Sequence, residues 1–391
     1  MPFPGTTQTL AIVTGISLSF LAASITSTRA NDFAEQDLFV SGQAGYHSFR
    51  IPSIIAAKDG TLIALCEARK ESRSDTGNID LVMRRSQDDG KSWSEIEVVW
   101  DDGDNTCGNP CPVLDQQTGT IWMLLTWNSG KVHEKDIQPG FGDDSRRVFV
   151  TSSRDHGTSW AEPTEITRNT KQKDWTWYAT GPGAGIQIRS GVNRGRLVIP
   201  CDHKTKTPSG TEFRAHVIVS DDHGATWRLG GVAPKPQVNE CEVVELNSGR
   251  LLLNMRNYDK SVRARQICVS DDGGDQWTDQ RHAPALIEPT CQASIRSYQT
   301  ASDAKPPSEQ VILFSNPASE DKRENMTVRV SFDDAQTWPS SRTIFPGPSA
   351  YSCLCVLKDG KILCLYEKDG YKRISLASFD LSWITEQPGS P

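Results

Sequence analysis

Four kinds of residue grouping in this chain of 391 residues could carry chemistry. The ten cysteines and seven histidines offer no Cys/His set with the ligand spacing of a zinc site, so no metal is expected. Cys107 and Cys111 bracket Gly-Asn-Pro, and Cys353, Cys355 and Cys364 lie near one another; each group could close a local disulfide or stay as buried thiols in strands. The glycine-rich segment WYATGPGAG, Trp177–Gly185, lacks the lysine and the strand-loop-helix setting of a phosphate loop, and reads as a tight loop approaching a pocket. His203, in CDHK, reads as structural. The fourth grouping is Phe49-Arg50-Ile51-Pro52, an arginine set among apolar residues and ahead of a proline. Arginine is planar, permanently charged and rich in donors, which suits it to gripping a carboxylate.

The elements that must position such residues are announced by a repeat. The pattern Ser-x-Asp-x-Gly-x-x-Trp occurs at Ser86–Trp93, Ser153–Trp160, Ser220–Trp227 and Ser270–Trp277. A fifth copy at Ser331–Trp338 has Ala335 in place of the glycine. Copies start about 50 to 67 residues apart, and each follows a short strand-like run such as DLVMRR or AHVIV. Inside each box the Asp can bond nearby amides, the Gly accepts positive φ and the Trp returns to anchor the turn, so each box reads as a hairpin. Between boxes a second set of turns recurs, at Lys58-Asp59-Gly60, Thr118-Gly119, Arg194-Gly195, Ser248-Gly249 and Lys358-Asp359-Gly360. No long helical period interrupts them. The expected fold is all-β, a six-bladed β-propeller of four-stranded antiparallel sheets; a many-stranded sandwich is the runner-up and leaves the boxes unexplained.

Composition narrows the function further. A formal net charge of −7 is a poor basis for nucleic-acid binding, so an anionic substrate requires locally concentrated arginines. The apolar stretch Leu10–Ser24, followed by Thr28-Arg29-Ala30, predicts a signal peptide over residues 1–30, although no basic residue precedes it. It is too short and interrupted to span a bilayer, and no other segment reaches that length. Residues 31–391 are then expected as one catalytic propeller, secreted or periplasmic (or in a lysosomal-type lumen) and monomeric.

Phe49-Arg50-Ile51-Pro52 followed by the boxes resembles the sialidase (neuraminidase) family, over about Phe39 to Glu367 and closer to bacterial and lysosomal-type members than to viral ones. The resemblance implies an exo-sialidase acting on sialylated glycoproteins, glycolipids or oligosaccharides, with no cofactor. It assigns Arg50, Arg256 in LLLNMRN and Arg323 in DKRENMTVR to the substrate carboxylate, and Arg69 to the same pocket. Asp75, in RSDTG, matches the general acid, Glu240 in VNECE the activating carboxylate, and Tyr351 in PSAYSCL the nucleophile. Glu367, in LYEKDG, matches the acid bracing Arg50. Asn109 stands where relatives often carry an aspartate lining the glycerol and N-acyl side of the pocket, which leaves N-acyl preference open. Arg329, Asp80 and Glu242 are the neighbours most easily confused with Arg323, Asp75 and Glu240.

This residue set suits a sugar whose anomeric carbon bears a carboxylate. An attacking Asp or Glu would be repelled by it, whereas a neutral tyrosine is not, and sialidases stand outside the usual two-carboxylate scheme for that reason. Tyrosine at its ordinary pKa of about 10 needs an adjacent base. Asp75 would need a raised pKa to donate a proton. A non-catalytic sialoside-binding propeller, and a transferase or a glycosidase for a related nonulosonic acid, are the alternatives.

Overall fold

The computed structural model describes residues 1–5, 33–298 and 311–386. The chain divides into two compact units, Met1–Ala30 and Asn31–Pro391. The apolar stretch and Thr28-Arg29-Ala30 expected to form a signal peptide lie outside the described residues. No helix among the described residues is long and apolar enough to cross a membrane.

The second unit is all-β, with only short helical turns such as Thr167–Thr170 and Leu381–Thr385. Consecutive strands pair antiparallel and the chain then moves on. Ser48–Ala56 pairs with Leu62–Arg69, that with Ile79–Ser86, and that with Glu97–Trp100. Val238–Glu245, Leu251–Asn257, Ala264–Ser270 and Thr278–Ile287 repeat the order. The long strand Ser340–Val356 serves two such meanders, its first half on Glu324–Ser331 and its second on Ile362–Lys368. Ala34–Val40 closes the last one by pairing with Arg373–Phe379. A sandwich would shuttle strands between two layers; this succession of meanders is instead consistent with a β-propeller.

Burial grades across each meander. The first strands Thr106–Leu114 and Val238–Glu245 are buried at every residue, while fourth strands such as Thr164–Glu165 are exposed. The second strands show apolar runs instead of alternation, as LIALC in Leu62–Arg69 and LLL in Leu251–Asn257 do.

The boxes are the turns between third and fourth strands. Ser86 Oγ accepts the Gly90 amide at 2.9 Å and donates to Asp88 Oδ1 at 2.8 Å, and Asp88 also accepts the Ser92 amide. The same serine-to-amide bond recurs at Ser153, Ser220, Ser270 and Ser331. In the fifth box Ala335 adopts φ 64°, a conformation costing a residue with a β-carbon about 1–2 kcal/mol, and the bond from its amide to Ser331 persists at 3.0 Å. Trp227 and Trp277 are buried in the core, and Trp93, Trp160 and Trp338 pack half-buried against it.

All ten cysteines are buried free thiols, which decides between the two readings of their spacing. Cys353 and Cys355 share a strand, and Cys364 stands opposite Leu354 and not opposite either of them.

Inner strands also share an irregularity at one end. Register shifts fall between Arg50 and Ser53, Gly108 and Cys111, Trp175 and Tyr178, Val238 and Cys241, and Ser349 and Ser352. Ile51, Asn109 and Gln237 there have φ of 62°, 55° and 66°. A bulge re-aims side chains off the regular two-residue alternation, and these bulges point residues of several sheets at one place.

Candidate active site

At the centre of that place Tyr351 Oη donates to Glu240 Oε1 at 2.5 Å. Arg256 Nη1 donates to Glu240 Oε2 at 2.6 Å and to Tyr351 Oη at 3.1 Å. Burial and the Glu240 charge push the tyrosine pKa well above 10, against the pull of Arg256 and Arg323. The phenol is therefore neutral, with a carboxylate in direct contact to take its proton.

All three expected arginines border this tyrosine. The guanidinium carbons of Arg50 and Arg323 lie 5.6 and 5.7 Å from its ring centre, and Arg256 touches its hydroxyl. Glu367, fully buried, accepts Arg50 Nε at 2.6 Å, the Ile51 amide at 3.0 Å and the Tyr351 amide at 3.1 Å. One carboxylate thus fixes an arginine, the strained backbone beside it and the strand carrying the tyrosine. A β-branched residue at positive φ costs on the order of 1–3 kcal/mol, and the amide bond to Glu367 helps hold Ile51 there.

Asp75 lies on a loop with its side chain 62% exposed, 2.7 Å from Arg69 Nη2. Arg69 is buried, bonded to Glu67 Oε2 at 2.6 Å and to the Arg73 carbonyl at 2.6 Å. Partial desolvation pulls the Asp75 pKa up, but the charges of Arg69 and Arg50 outweigh it and hold it below the ordinary carboxylate value. The raised pKa expected of this residue is thus not found, because the nearby guanidinium groups of Arg69 and Arg50 favour its charged form.

Asn109 sits in the second bulge. Its amide donates to Glu67 Oε1 at 2.9 Å, and its Oδ1 accepts Thr126 Oγ1 at 2.9 Å and Arg146 Nη2. Arg146 is buried under Trp177, 4.5 Å from that ring.

The neighbouring candidates lie elsewhere. Arg329 bonds Asn316 at 3.1 Å, and Asp80 bonds Tyr46 Oη at 2.6 Å. Glu242 is sealed in the core, accepting the Ala184 and Ile295 amides and Ser294 Oγ. The glycine-rich loop crosses beside it: a β-carbon on Gly183 would stand 1.9 Å from Glu242 Oε1. His203 is structural, stacked 3.4 Å from Trp175 and bonded to His216 at 3.0 Å.

Sequence reasoning missed Glu67, Arg146 and Tyr371, and read Trp177 as the start of a loop where it stands on the strand Trp175–Thr180. Glu67 is detectable as the residue two before Arg69 on the same strand face. Tyr371 packs 4.2 Å from Arg50 and accepts Arg323 Nη1 at 3.0 Å, so one ring orients two of the three arginines. Its only sequence signal is a turn position just after Glu367. Arg146 carries none.

The BNR repeat-like domain family matches residues 60–364. The chain is 35% identical over 360 residues to a sialidase of Micromonospora viridifaciens, covering 90% of this chain and 54% of that protein. It is 29% identical over 399 residues to an exo-alpha-sialidase of Aspergillus fumigatus, covering 93% and 91%. Among solved structures, Hadza microbial sialidase Hz136 superposes with a TM-score of 0.79 at 30% identity, covering 88% of this chain and 68% of that one. Repeats, site and relatives agree, and the chain belongs to the sialidase family. It spans about half the length of the Micromonospora relative.

Proposed function

We propose that this chain is an exo-sialidase that releases terminal sialic acids from glycoproteins, glycolipids or oligosaccharides with retention of anomeric configuration. The observation that carries the reading is the 2.5 Å contact of Tyr351 Oη with Glu240, ringed by three arginines. The arginines would take the substrate carboxylate and set the anomeric carbon over the tyrosine. Glu240 accepts the phenolic proton as the oxygen attacks, and a tyrosyl–glycosyl intermediate forms while the glycosidic oxygen leaves. Asp75 protonates that oxygen and later takes a proton from the attacking water. A bound carboxylate neutralises Arg50 and excludes solvent, and both changes raise the Asp75 pKa from its depressed ligand-free value.

The scaffold fits six four-stranded blades. Inner strands carrying Arg50, Asn109, Trp177, Glu240 and Tyr351 belong to the first, second, third, fourth and sixth, and Arg323 immediately precedes the third strand of the fifth. Such a ring closes on itself, so a monomer is the expected state, and export behind residues 1–30 the expected location.

The deciding experiment is release of a fluorogenic aglycone from an α-linked N-acetylneuraminide, with Tyr351→Phe in parallel. Turnover in the parent lost from the variant supports the assignment; equal turnover in both would sink the nucleophile. Proton NMR of the first-formed product should show the retained anomer.

A further inference from the structure

A sugar bound with its glycosidic oxygen at Asp75 has its leaving partner against the loop that carries this acid. That loop joins the strands Leu62–Arg69 and Ile79–Ser86, and residues 71–75 are exposed. It is nevertheless pinned from beneath. Arg69 Nη1 donates to the Arg73 carbonyl at 2.6 Å, and Ser48 Oγ donates to the Ser72 carbonyl at 3.2 Å. Arg69 Nη2 also meets Asp75 at 2.7 Å, so one buried guanidinium fixes both the acid and the backbone two residues before it. The Ser72 and Ser74 hydroxyls are turned onto the loop itself, accepting the amides of Ser74 and Thr76.

The two flanks of the loop differ in charge. On one, the Gly77 amide donates to Thr106 Oγ1 at 3.3 Å, and that hydroxyl donates to the Gly77 carbonyl at 2.9 Å. Just ahead of Thr106 in the chain stand the exposed Asp101, Asp102 and Asp104. Lys70 on this flank is paired with Asp80 and Asp101 at 3.2 and 3.7 Å. On the other flank Arg73 Nη1 donates to the Gly370 carbonyl at 3.3 Å, crossing to the turn that holds Tyr371. Arg373, which follows that turn, is paired with Asp37 and Asp369. Arg73 is exposed and forms no ion pair among the described residues, not even with Glu71, the nearest acid before it in sequence. The chief cations acting on Asp75 are Arg69, Arg50 and Arg146, so the acid does not absorb the Arg73 charge either. Most of the Arg73 N–H groups are thus unclaimed by the protein.

A guanidinium so placed distinguishes leaving groups by charge. Galactose is neutral and gains at most an ordinary hydrogen bond. In an α2,8-linked pair of sialic acids the leaving group is itself a sugar with a carboxylate, and a sulfated galactose bears a sulfate ester. Either anion offers oxygens that an arginine can fork, while the aspartates of the opposite flank repel it.

We infer that Arg73 is a specificity-determining contact for the leaving group, favouring sialosides whose leaving sugar carries an anion close to the scissile bond. This rests on the sialidase reading above.

The test compares kcat/KM for α2,3-sialyllactose with that for α2,8-disialyllactose and for an α2,3-sialyl galactoside sulfated at C6. The ratio of anionic to neutral substrate should fall about threefold to fivefold in Arg73→Gln, the size of an exposed charge contact. It should fall further in Arg73→Glu, where attraction becomes repulsion. Raising the salt should bring the parent's ratio toward that of Arg73→Gln. A merely structural effect, through the lost Gly370 contact, moves all three substrates together and leaves the ratio alone. A fall for the disialyl substrate only assigns the contact to the carboxylate, and a fall for the sulfated one only assigns it to the sulfate. Ratios equal in the parent and Arg73→Gln for both anionic substrates overturn the proposal. Thio-linked analogues of the three sugars, which resist hydrolysis, report the same margin as binding in a calorimeter. A parent that turns over none of the substrates, yet binds an anionic analogue with a margin lost in Arg73→Gln, refutes the hydrolase reading and keeps this contact.

Discussion

The inner strands have two differently built ends. At one, past Ser53, Cys111 and Cys241, bulges and left-handed residues break the ladder, and Arg50, Asn109, Glu240 and Tyr351 converge. At the other the same strands run out regularly into glycine turns at Gly60, Gly119, Gly249 and Gly360, around a cavity of about 720 Å³. Its walls include Ile54, Val113, Val244 and Leu354, and its charged rim residues are largely engaged: Asp59 caps Thr61 and Lys358 bonds the Lys58 carbonyl. The cavity and the chemistry thus lie at opposite ends. Void volume comes from the ring of strands itself, whereas the site needs local distortions that regular strands cannot supply.

Substitutions on the inner strands sharpen this contrast. The largest effect belongs to the distorted end: Tyr351→Phe should lower kcat by about 10³-fold or more while inhibitor binding stays nearly intact. Glu240→Gln should cost turnover on the order of 10²–10⁴-fold with little change in Tm, measured by steady-state kinetics and calorimetry. Glu242→Gln, two residues on, should do the reverse. It unbalances Arg296 and leaves one oxygen for three donors, so denaturant unfolding should show about 3 kcal/mol lost with kcat of the folded enzyme kept. A Glu242 variant that folds normally but loses turnover would erase the distinction between the two carboxylates.

A smaller effect concerns pH. Burial pulls the His203 pKa down to about 3 and that of His216 well below 6.5. The unfolded chain therefore binds protons first on acidification. Stability from these residues is full above about pH 6.5 and drains away as pH falls toward 3, by about 1.4 kcal/mol per pH unit per histidine at most. A thermal melt series should show that decline, flattened in His216→Leu. The smallest effect is at the plain end, where Lys358→Ala should change both stability and turnover within error.

The contrast also explains what was legible in the sequence. Boxes and glycine turns are local: the residues that make each turn are neighbours in the chain, so their spacing revealed the strands they join. The site was legible where a residue sits in a distinctive string, as Arg50 and Tyr351 do. Glu240 and Glu242 could not be separated by alternation, because both fall on one face of a regular strand. The bulge between Val238 and Cys241 turns one outward to Tyr351 and leaves the other inside. Arg146 looked like any arginine in a charged loop, since its burial depends on Asn109, Asn128 and Trp177 arriving from distant strands.

The pairing of Ala34–Val40 with Arg373–Phe379 joins strands more than three hundred residues apart in the chain. Bringing such distant strands together carries a large loop-closure cost, and until they meet the edge of the final sheet stays unpaired. A circular permutant that links these two strands directly and opens a box turn should therefore refold faster than the parent, read by stopped-flow kinetics.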